Sequence, residues 1–554
     1  MANLDRISPT PSQAREYILT LLEGLAGLAE AARDADTRDR IDGFARSLLQ
    51  AWSSPSASLL AKEFGRLDEL TAAYAVEQPG ALAIVVGDCK ITYAQLEDSV
   101  DRLGAALQRE GLVKGDVIAL CAGTSAPYIA LFLAASRVGV IVAPLATWIP
   151  VDQICTLAAD SGAKRLFTDI VALTDLSVAP VVMMGELEAW MAPAGARPRA
   201  VKIGPDDVHY IMYSSGTTGA PKGIVQSYLS RWRGLVEFGS APVRASYIVS
   251  TPLYASSTIF AWGKPLACGG VAVMMPKFDA LGFLFLAETW RVTNAVLVPV
   301  QVQRILAHPD FDSFDLGSFM NKLVVGAPFD PALKAETVRR WPGGLSEFYG
   351  VSEGGVACLL DASQRPDKLH TVGEPLAACD LRVIDDEGRE LPRGAIGEIV
   401  GRARVMMQGY HNQPDATEKA LWFDDQGRRY IRSGDIGRID EDGFVQLLGR
   451  KKDMIVSGGQ NIYPCDLEAV LQRHPAVQDV AVVGRISARW GEEPVVFATL
   501  NPGAGIDAGA LLAWVCERVG KPQRPAEVII LDELPRSPIG KILKRQLRAL
   551  FQAA

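Results

Sequence analysis

The sequence predicts an α/β protein with a large N-terminal domain of layered sheets and helices, a small β-rich subdomain, and a smaller α+β C-terminal domain. Three observations predict it. From about residue 70 to 330, short apolar runs such as ALAIVV, VIALC, YIVSTPL, GGVAVMM and NAVLVPV alternate with segments of helical period such as YAQLEDSVDRLGAALQREG, the signature of helices layered on sheets. From about 380 to 450 the pattern changes to DLRVIDDEGREL, GEIVGR and GRIDEDGFVQLLGR, strands separated by acidic and glycine turns. After GRKKD at 449–453 come a helix over Pro464–His474, strands at VAVVG and PVVFATL, a helix from Ala508 and the strand VIILDEL.

Taken in order, residues 1–69 read as a helical extension, because 15–50 are rich in Ala, Leu and charge and place Ile18, Leu22, Leu25 and Leu28 at helical spacing. Residues 70–449 form the large domain, with its β-rich part over about 380–449, and 450–554 the small domain. A chain of 554 residues is too long for one hydrophobic core, so more than one domain is the physical expectation.

Composition narrows the function classes. Hydrophobic residues make up 49% and charged residues 22%, the balance of a folded globular protein rather than a disordered one. The net charge is -8 and the basic residues are dispersed, which argues against nucleic acid as a partner. No run of apolar residues is long enough to span a membrane, and the opening MANLDRISPTPSQ does not resemble a leader, so a cytoplasmic place is expected. The eight cysteines are scattered, with no CxxC pair, and read as free thiols.

The ten residues Ser214–Gly223, SSGTTGAPKG, follow the apolar run YIMY and carry three glycines, four hydroxyl side chains and one lysine. Backbone N–H groups, hydroxyls and a cation together suit phosphate oxygens. The spacing is not that of the GxxxxGK[ST] loop, since Lys222 lies three residues after Gly219 with Pro221 between, so no helix N-terminal cradle is implied. The bland alternative is an exposed Gly/Ser/Thr turn; the unbroken string favours phosphate binding.

Four further strings follow in order: YGVSE at 349–353, RSGD at 432–435, GRKKD at 449–453 and PIGK at 538–541. With them the chain, from about residue 70 to its end, resembles the adenylate-forming superfamily of acyl-CoA synthetases, peptide-synthetase adenylation domains and beetle luciferases, and within it the acyl-CoA ligases. The resemblance implies ATP, Mg²⁺ and CoA as cofactors and substrates. It gives the catalytic part to Lys541, Glu353, Thr217 and Lys222, with Glu353 on the metal ion. Nucleotide contacts would come from Ser214, Ser215, Gly216, Thr217, Thr218, Gly219 and Lys222, from the adenine loop Gly326, Ala327 and Pro328, and from Tyr349, Gly350, Ser352, Asp435, Arg450 and Lys541. Tyr349 would lie against the adenine, Asp435 would accept the ribose hydroxyls, and Ser352 stands where relatives usually have Thr. Taken singly, each of these is more often a core aromatic or a surface charge.

By the same resemblance the small domain is mobile and turns about Lys452, exchanging Lys541 for a face that accepts a thiol. Gly458 and Gly459 would then line a pantetheine tunnel, and Arg489, Trp490, Lys521 and Arg524 would meet CoA. The acid would lie among Trp232, Tyr254, Ala255, Val298, Val300, Gly326 and Val351, mostly apolar, which favours a hydrophobic medium- or long-chain or aromatic acid. Many relatives have a gating His after the aromatic at this place; here Tyr254 is followed by Ala255, Ser256 and Ser257, so a wider or differently closed pocket is expected.

The leading function is an acid–thiol ligase that forms acyl-AMP and passes the acyl group to CoA. An adenylating enzyme that loads a carrier protein or an amine is a second reading, and a non-catalytic nucleotide-binding regulator a third, opposed by intact Glu353, Asp435, Arg450 and Lys541. None of His209, His308, His370, His411 and His474 receives a catalytic part, with His209 and His370 left open. The N-terminal extension has three open roles: a cover, a contact within a homodimer, or a partner helix.

Overall fold

In the computed structural model, residues 54–174, 179–214, 222–236, 244–458, 460–537 and 540–551 are described; the helices expected over 15–50 lie outside them. The chain forms two compact units. One holds residues through Val296 with 308–322 and 404–416, and the other holds 297–307, 323–403 and 417 onward.

In the first unit a seven-stranded sheet runs in the order Gly409–Tyr410, Lys222–Ser227, Val208–Ser214, Ile141–Pro144, Val117–Cys121, Ala163–Thr168 and Val181–Met183. Its interior strands are parallel, as Ile141 opposite Val117 and Val142 opposite Tyr210 show. The strand Val117–Cys121 is buried along its whole length, which is why VIALC reads as a continuous apolar run rather than an alternating one. A second group places Asn294–Leu297, Ser246–Val249, Val271–Met274 and Leu82–Val86 side by side and parallel, with Cys89–Thr92 antiparallel at the edge.

The helix Tyr93–Arg109 begins with a capping box in which Thr92 and Gln95 satisfy each other's backbone N–H groups. Leu96, Val100, Leu103 and Leu107, spaced three or four apart, form its buried stripe. The helix Ala126–Val138 starts at the cap Ser125 and stops at Gly139, where φ is 73°.

In the second unit the antiparallel hairpin Gly344–Gly350 and Ala357–Asp361 carries the YGVSE string at its turn. The β-rich part is a five-stranded antiparallel sheet: Asp380–Ile384, Gly397–Arg402, Arg429–Ile439 and Leu421–Phe423 in order, with Val445–Arg450 also paired to the long strand Arg429–Ile439. The last hundred residues build their own sheet around Val477–Ser487 and Gly491–Leu500. One face packs Leu467, Leu471, Val480, Val482, Val496 and Leu511. The other packs Ala481, Val483, Val495, Phe497 and Leu547.

Three boundaries differ from the sequence reading. The helix from Pro464 ends at Leu471 rather than His474, because Pro475 disfavours helical backbone in the residue before it. The strand in NAVLVPV stops at Leu297, and Pro299 opens a helix through Leu306, using the preset φ of proline in a first helical turn. The strand in YIVSTPL stops at Val249, also short of its proline.

Candidate active site

Asp435 is the centre of the second unit's site. It sits in the strand Arg429–Ile439 opposite Arg450, 6% exposed. Gly434 just before it has φ 68°, a conformation that costs an L side chain about 1 kcal/mol or more. Ser433 fixes the local backbone: its hydroxyl donates to the Ile399 carbonyl at 2.6 Å and accepts from Asp435 N–H at 3.0 Å.

Both carboxylate oxygens of Asp435 are engaged. Tyr349 donates its hydroxyl to Oδ2 at 2.7 Å, and Arg450 Nε lies 2.9 Å from Oδ1. Arg450 also donates to the Ser433 carbonyl at 3.1 Å. Burial pushes the Asp435 carboxyl above its ordinary range; Arg450, the Tyr349 hydroxyl and Lys541 pull the other way, and the charge of Glu353 adds to the rise. The Tyr349 phenol is raised well above its usual value by burial first and by Asp435 second.

Lys541 stands on a tight turn. Ser537 N–H donates to the Lys541 carbonyl at 2.8 Å, Gly540 N–H to the Ser537 carbonyl at 2.7 Å, and Arg536 Nη1 to the Gly540 carbonyl at 2.6 Å. Gly540 has φ 77°, and a Cβ there would meet Val300 Cγ1 at 2.4 Å, so only glycine fits. The Lys541 side chain reaches solvent yet lies in a crowded cationic setting. Surrounding protein lowers its pKa most, then Arg450 and Lys452; Asp435 and Asp453 oppose.

Glu353, half-buried in the turn after the Tyr349 strand, is followed by Gly354 at φ 76° and Gly355 at φ 80°. A Cβ at Gly355 would lie 2.6 Å from the Gly401 carbonyl, so this turn is seated directly on the β-rich sheet. Among the described residues no cluster of three His, Cys, Asp or Glu exists that would cage a metal ion. A single carboxylate is what Mg²⁺ uses when nucleotide phosphates and water supply its remaining ligands, and Glu353 fits that demand.

The other expected residues of this unit are placed as follows. Gly326, at φ 87°, turns the chain after the strand Asn321–Val325 and leaves a Cβ position 3.8 Å from Val298. Ala327 and Pro328 continue that turn, Gly350 and Ser352 are exposed, and Val351 packs with Tyr349 beside buried Val356 and Cys358. Val298 and Val300 both adjoin Gly540, so two of the expected acid-lining residues neighbour the Lys541 turn. Lys452, exposed on the turn Lys451–Asp453, has its pKa lowered by burial and then by Arg450 and Arg548.

Gly458, at φ 56°, donates its N–H to the Trp490 carbonyl at 2.8 Å, and a Cβ there would touch the indole at 3.1 Å. Arg489 lies over that indole, 4.7 Å from the ring centre. Lys521 and Arg524 are exposed on and just after the short turn Lys521–Gln523, which packs against the strand Gln460–Ile462. Gly459 lies outside the described residues.

In the first unit, Ser214 and Lys222 face each other across an antiparallel pair. The phosphate-loop residues Ser215, Gly216, Thr217, Thr218 and Gly219 between them lie outside the described residues. A strand, Lys222–Ser227, follows the loop. Lys222 Nζ sits 4.9 Å over the ring of Tyr410, whose strand pairs with Ile224 and Val225. Trp232 is buried, with its ring against Gly65 and its Nε1–H on the Lys62 carbonyl at 3.4 Å. Ala255 precedes the helix Ser256–Ala267, and Tyr254 accepts a hydrogen bond from Trp148. His209 is buried among Phe132, Tyr210 and Tyr228, and burial pulls its pKa to about 3, so it is a neutral core ring. His370 is exposed on the surface.

Two residues that the motifs did not flag now matter: Tyr410 under Lys222 and Trp148 on Tyr254. Each reaches its partner through a contact distant in sequence, with no local string to mark it.

Comparison with known proteins identifies the family. Residues 71–411 match the family model of AMP-binding enzymes, and residues 466–541 that of the AMP-binding enzyme C-terminal domain. The chain is 32% identical over 499 residues to an indoleacetate–CoA ligase of Aromatoleum aromaticum, covering 85% of this chain and 96% of that protein. It is 34% identical over 489 residues to a feruloyl-CoA synthase of an Amycolatopsis species, again 85% and 96%. The crystal structure of ATP-bound MatB from Rhodopseudomonas palustris superposes with a TM-score of 0.78 at 29% identity, over 88% of this chain and 99% of that one. With Asp435, Arg450, Glu353 and Lys541 gathered in one unit and both family models matched in order, the chain belongs to the AMP-binding enzyme family.

Proposed function

We propose that this protein is an AMP-forming acid–thiol ligase: it joins a hydrophobic carboxylic acid to AMP at the expense of ATP, then passes the acyl group to the thiol of CoA. The observation that carries the reading is the convergence on Asp435 of Tyr349, Arg450 and the charge of Lys541. A carboxylate is a poor acyl donor because its oxygen leaves badly. Attack of that oxygen on the α-phosphorus of ATP releases pyrophosphate and gives a mixed anhydride with AMP as a good leaving group.

The residues divide the work. Asp435, held by Tyr349 and Arg450, accepts the ribose hydroxyls and fixes the nucleotide. Lys541 supplies positive charge where negative charge builds up in the transition state, the kind of term that is usually the largest in catalysis. Lys222 and the hydroxyls of the 214–223 loop would hold the phosphates, and Glu353 would hold Mg²⁺. When bound, Mg²⁺ neutralises phosphate charge that would otherwise repel the incoming carboxylate. The fused approach of two anions is thus managed by positioning and charge, without a nucleophilic side chain.

We place Lys452 at the hinge of a small domain over 450–554. Its own two-faced core and its own family model support that division. Gly458 with Arg489 and Trp490 forms a turn on that domain suited to a pantetheine arm, and Lys521 and Arg524 offer cations for CoA phosphates. The cytoplasm fits: all eight cysteines are free, as expected where thiols are kept reduced.

The test is a screen of fatty, aromatic and dicarboxylic acids for ATP-dependent AMP release, with and without CoA. AMP and a CoA thioester are expected with a hydrophobic acid. Adenylate without thioester would redirect the reading to a carrier-protein or amine acceptor, and no turnover with any acid would leave a nucleotide-binding regulator.

A further inference from the structure

In the second unit the helix Pro331–Arg340 packs on the strand Gly344–Gly350 and buries a lysine, Lys334, to 2% exposure. An ammonium group taken out of water is unfavourable unless its three hydrogens find acceptors and a negative charge lies close. Lys334 meets both conditions. Its Nζ donates to the Leu369 carbonyl at 2.7 Å and to the Thr371 carbonyl at 3.0 Å, and it pairs with the Glu347 carboxylate. The same nitrogen lies 5.8 Å from the centre of the Phe329 ring.

Each partner belongs to a different piece of the nucleotide site. Glu347 is 4% exposed and stands two residues before Tyr349 on one strand, so the two side chains share a face. Leu369 and Thr371 lead into a segment that pairs with Val445: Val372 N–H donates to the Val445 carbonyl at 2.9 Å, and Val445 N–H donates to the Gly373 carbonyl at 2.8 Å. Val445 opens the strand that ends at Arg450, opposite Asp435. Lys368, just before this segment, bonds Asp440 at 2.8 Å in the turn between the strands of Asp435 and Arg450. Phe329 is buried and follows directly on Gly326, Ala327 and Pro328. One buried cation is thus joined to the strand of Tyr349, to the hairpin of Asp435 and Arg450, and to the loop expected beside the adenine.

Stability alone is a weak reason for such a pair, because well-packed apolar side chains of similar volume often replace a buried ion pair without loss. Burial pushes the Glu347 carboxyl up to about 7 against the pull of Lys334, so the pair is held against the preference of its surroundings. What apolar side chains do not supply is direction: three donated hydrogens fix three acceptors at once. We propose that Lys334, paired with Glu347, is a positioning residue of the nucleoside site, setting Tyr349, Asp435 and Arg450 at the spacing that takes the ribose hydroxyls without itself touching the nucleotide. This rests on the ligase reading above and adds to that site two residues that none of the five sequence strings contains. With Lys334 gone, the Tyr349 strand and the Asp435 hairpin relax separately, and a misplacement of about an ångström is enough to weaken binding manyfold.

The experiment does not depend on the identity of the acid. Calorimetry gives Kd for ATP and for 2′,3′-dideoxy-ATP, both with Mg²⁺, in wild type, Lys334→Met, Glu347→Gln and the double variant, with Tm measured alongside. Wild type should bind ATP about ten- to a hundredfold more tightly than the dideoxy nucleotide, as expected for hydrogen bonds to a charged group. Lys334→Met should cut that ratio about three- to tenfold. Glu347→Gln, whose amide oxygen still accepts from the ammonium, should cut it by about twofold or less. The double variant removes both charges and should regain Tm lost by Lys334→Met, while its ratio stays low. A ratio that recovers together with Tm, or that Lys334→Met leaves at the wild-type value, makes the pair a support of the fold and overturns the proposal with the ligase reading intact. If Lys334→Met does not fold, the double variant, which leaves no buried unpaired charge, carries the same test. Wild-type protein that binds the two nucleotides equally removes the ribose assignment of Asp435, on which the ligase reading and the proposal both stand.

Discussion

Tyr349 donates its phenolic hydrogen to Asp435 across 86 residues of sequence, at 2.7 Å. The bond ties the strand that carries YGVSE to the strand that carries RSGD, and it favours the ionised carboxylate that burial disfavours.

The sign of the pH effect follows from that balance. The folded pKa of Asp435 is raised above the ordinary 3.8. Its contribution to folding stability is therefore present at low pH and is lost as pH rises through the folded value. Ribose binding runs the opposite way, because it needs the carboxylate. The acid limb of kcat/KM for ATP should lie above the pH at which an ordinary aspartate titrates, and Tyr349→Phe should move it higher still. Asp435→Asn should raise KM for ATP by roughly ten- to a hundredfold, the cost of a lost charge-assisted bond. A pH profile of pyrophosphate exchange in the three proteins measures both.

Lys541 should behave as a group needed in the transition state and not in ground-state binding. Lys541→Ala is expected to lower acid-dependent pyrophosphate exchange by about 10²–10³-fold, with nucleotide affinity by calorimetry changed only a few-fold. The lowered pKa of Lys541 puts the loss of its charge, and so the alkaline limb of adenylation, below the ordinary lysine range. Lys541→Arg should remove that limb whatever activity it keeps, since arginine does not deprotonate in this range. Unchanged adenylation in Lys541→Ala would remove the assignment.

What was legible in the sequence was local. The period-3.6 stripe of Leu96, Val100, Leu103 and Leu107 sits where expected, and the run VAVVG is a strand buried on both faces. Element ends were less legible where proline intervened: Pro299 starts a helix inside what alternation alone reads as a strand. The site strings named Asp435, Tyr349 and Lys541 through resemblance, but not the bonds among them. Hydrogen bonds between residues far apart in the chain leave no period or spacing, and for the same reason Trp148 and Tyr410 went unmarked. The phosphate-loop residues Ser215 to Gly219 lie outside the described residues, so their part rests on resemblance.

Gly540 ties Lys541 to the helix Pro299–Leu306. At φ 77° with Val300 Cγ1 2.4 Å from any Cβ, Gly540→Ala carries both a backbone cost of about 1–2 kcal/mol and a clash. Adenylation should fall about tenfold or more, and thioester formation from supplied acyl-AMP should be spared. Val300→Ala in the same chain should restore the part due to the clash and not the part due to φ, so the double variant lands between Gly540→Ala and wild type. Full additivity of the two single losses would show that the contact does not exist.

Tyr410 is expected to position Lys222 rather than to touch substrate. The ammonium lies 4.9 Å over the ring, within cation–π range, and Tyr410 is fixed by pairing with Ile224 on the lysine's own strand. Such an interaction contributes roughly 0.5–2 kcal/mol at a partly buried site, so Tyr410→Leu should raise KM for ATP about three- to thirtyfold with a smaller effect on kcat. Tyr410→Phe keeps the π face and should stay near wild type, an outcome that a purely structural role for the hydroxyl would not give. Adding Lys222→Met should abolish the difference between Tyr410 and Leu at this position, because the ring then has no cation to hold. If Tyr410→Leu costs as much in the Lys222→Met background as in wild type, the ring supports the fold and not the lysine.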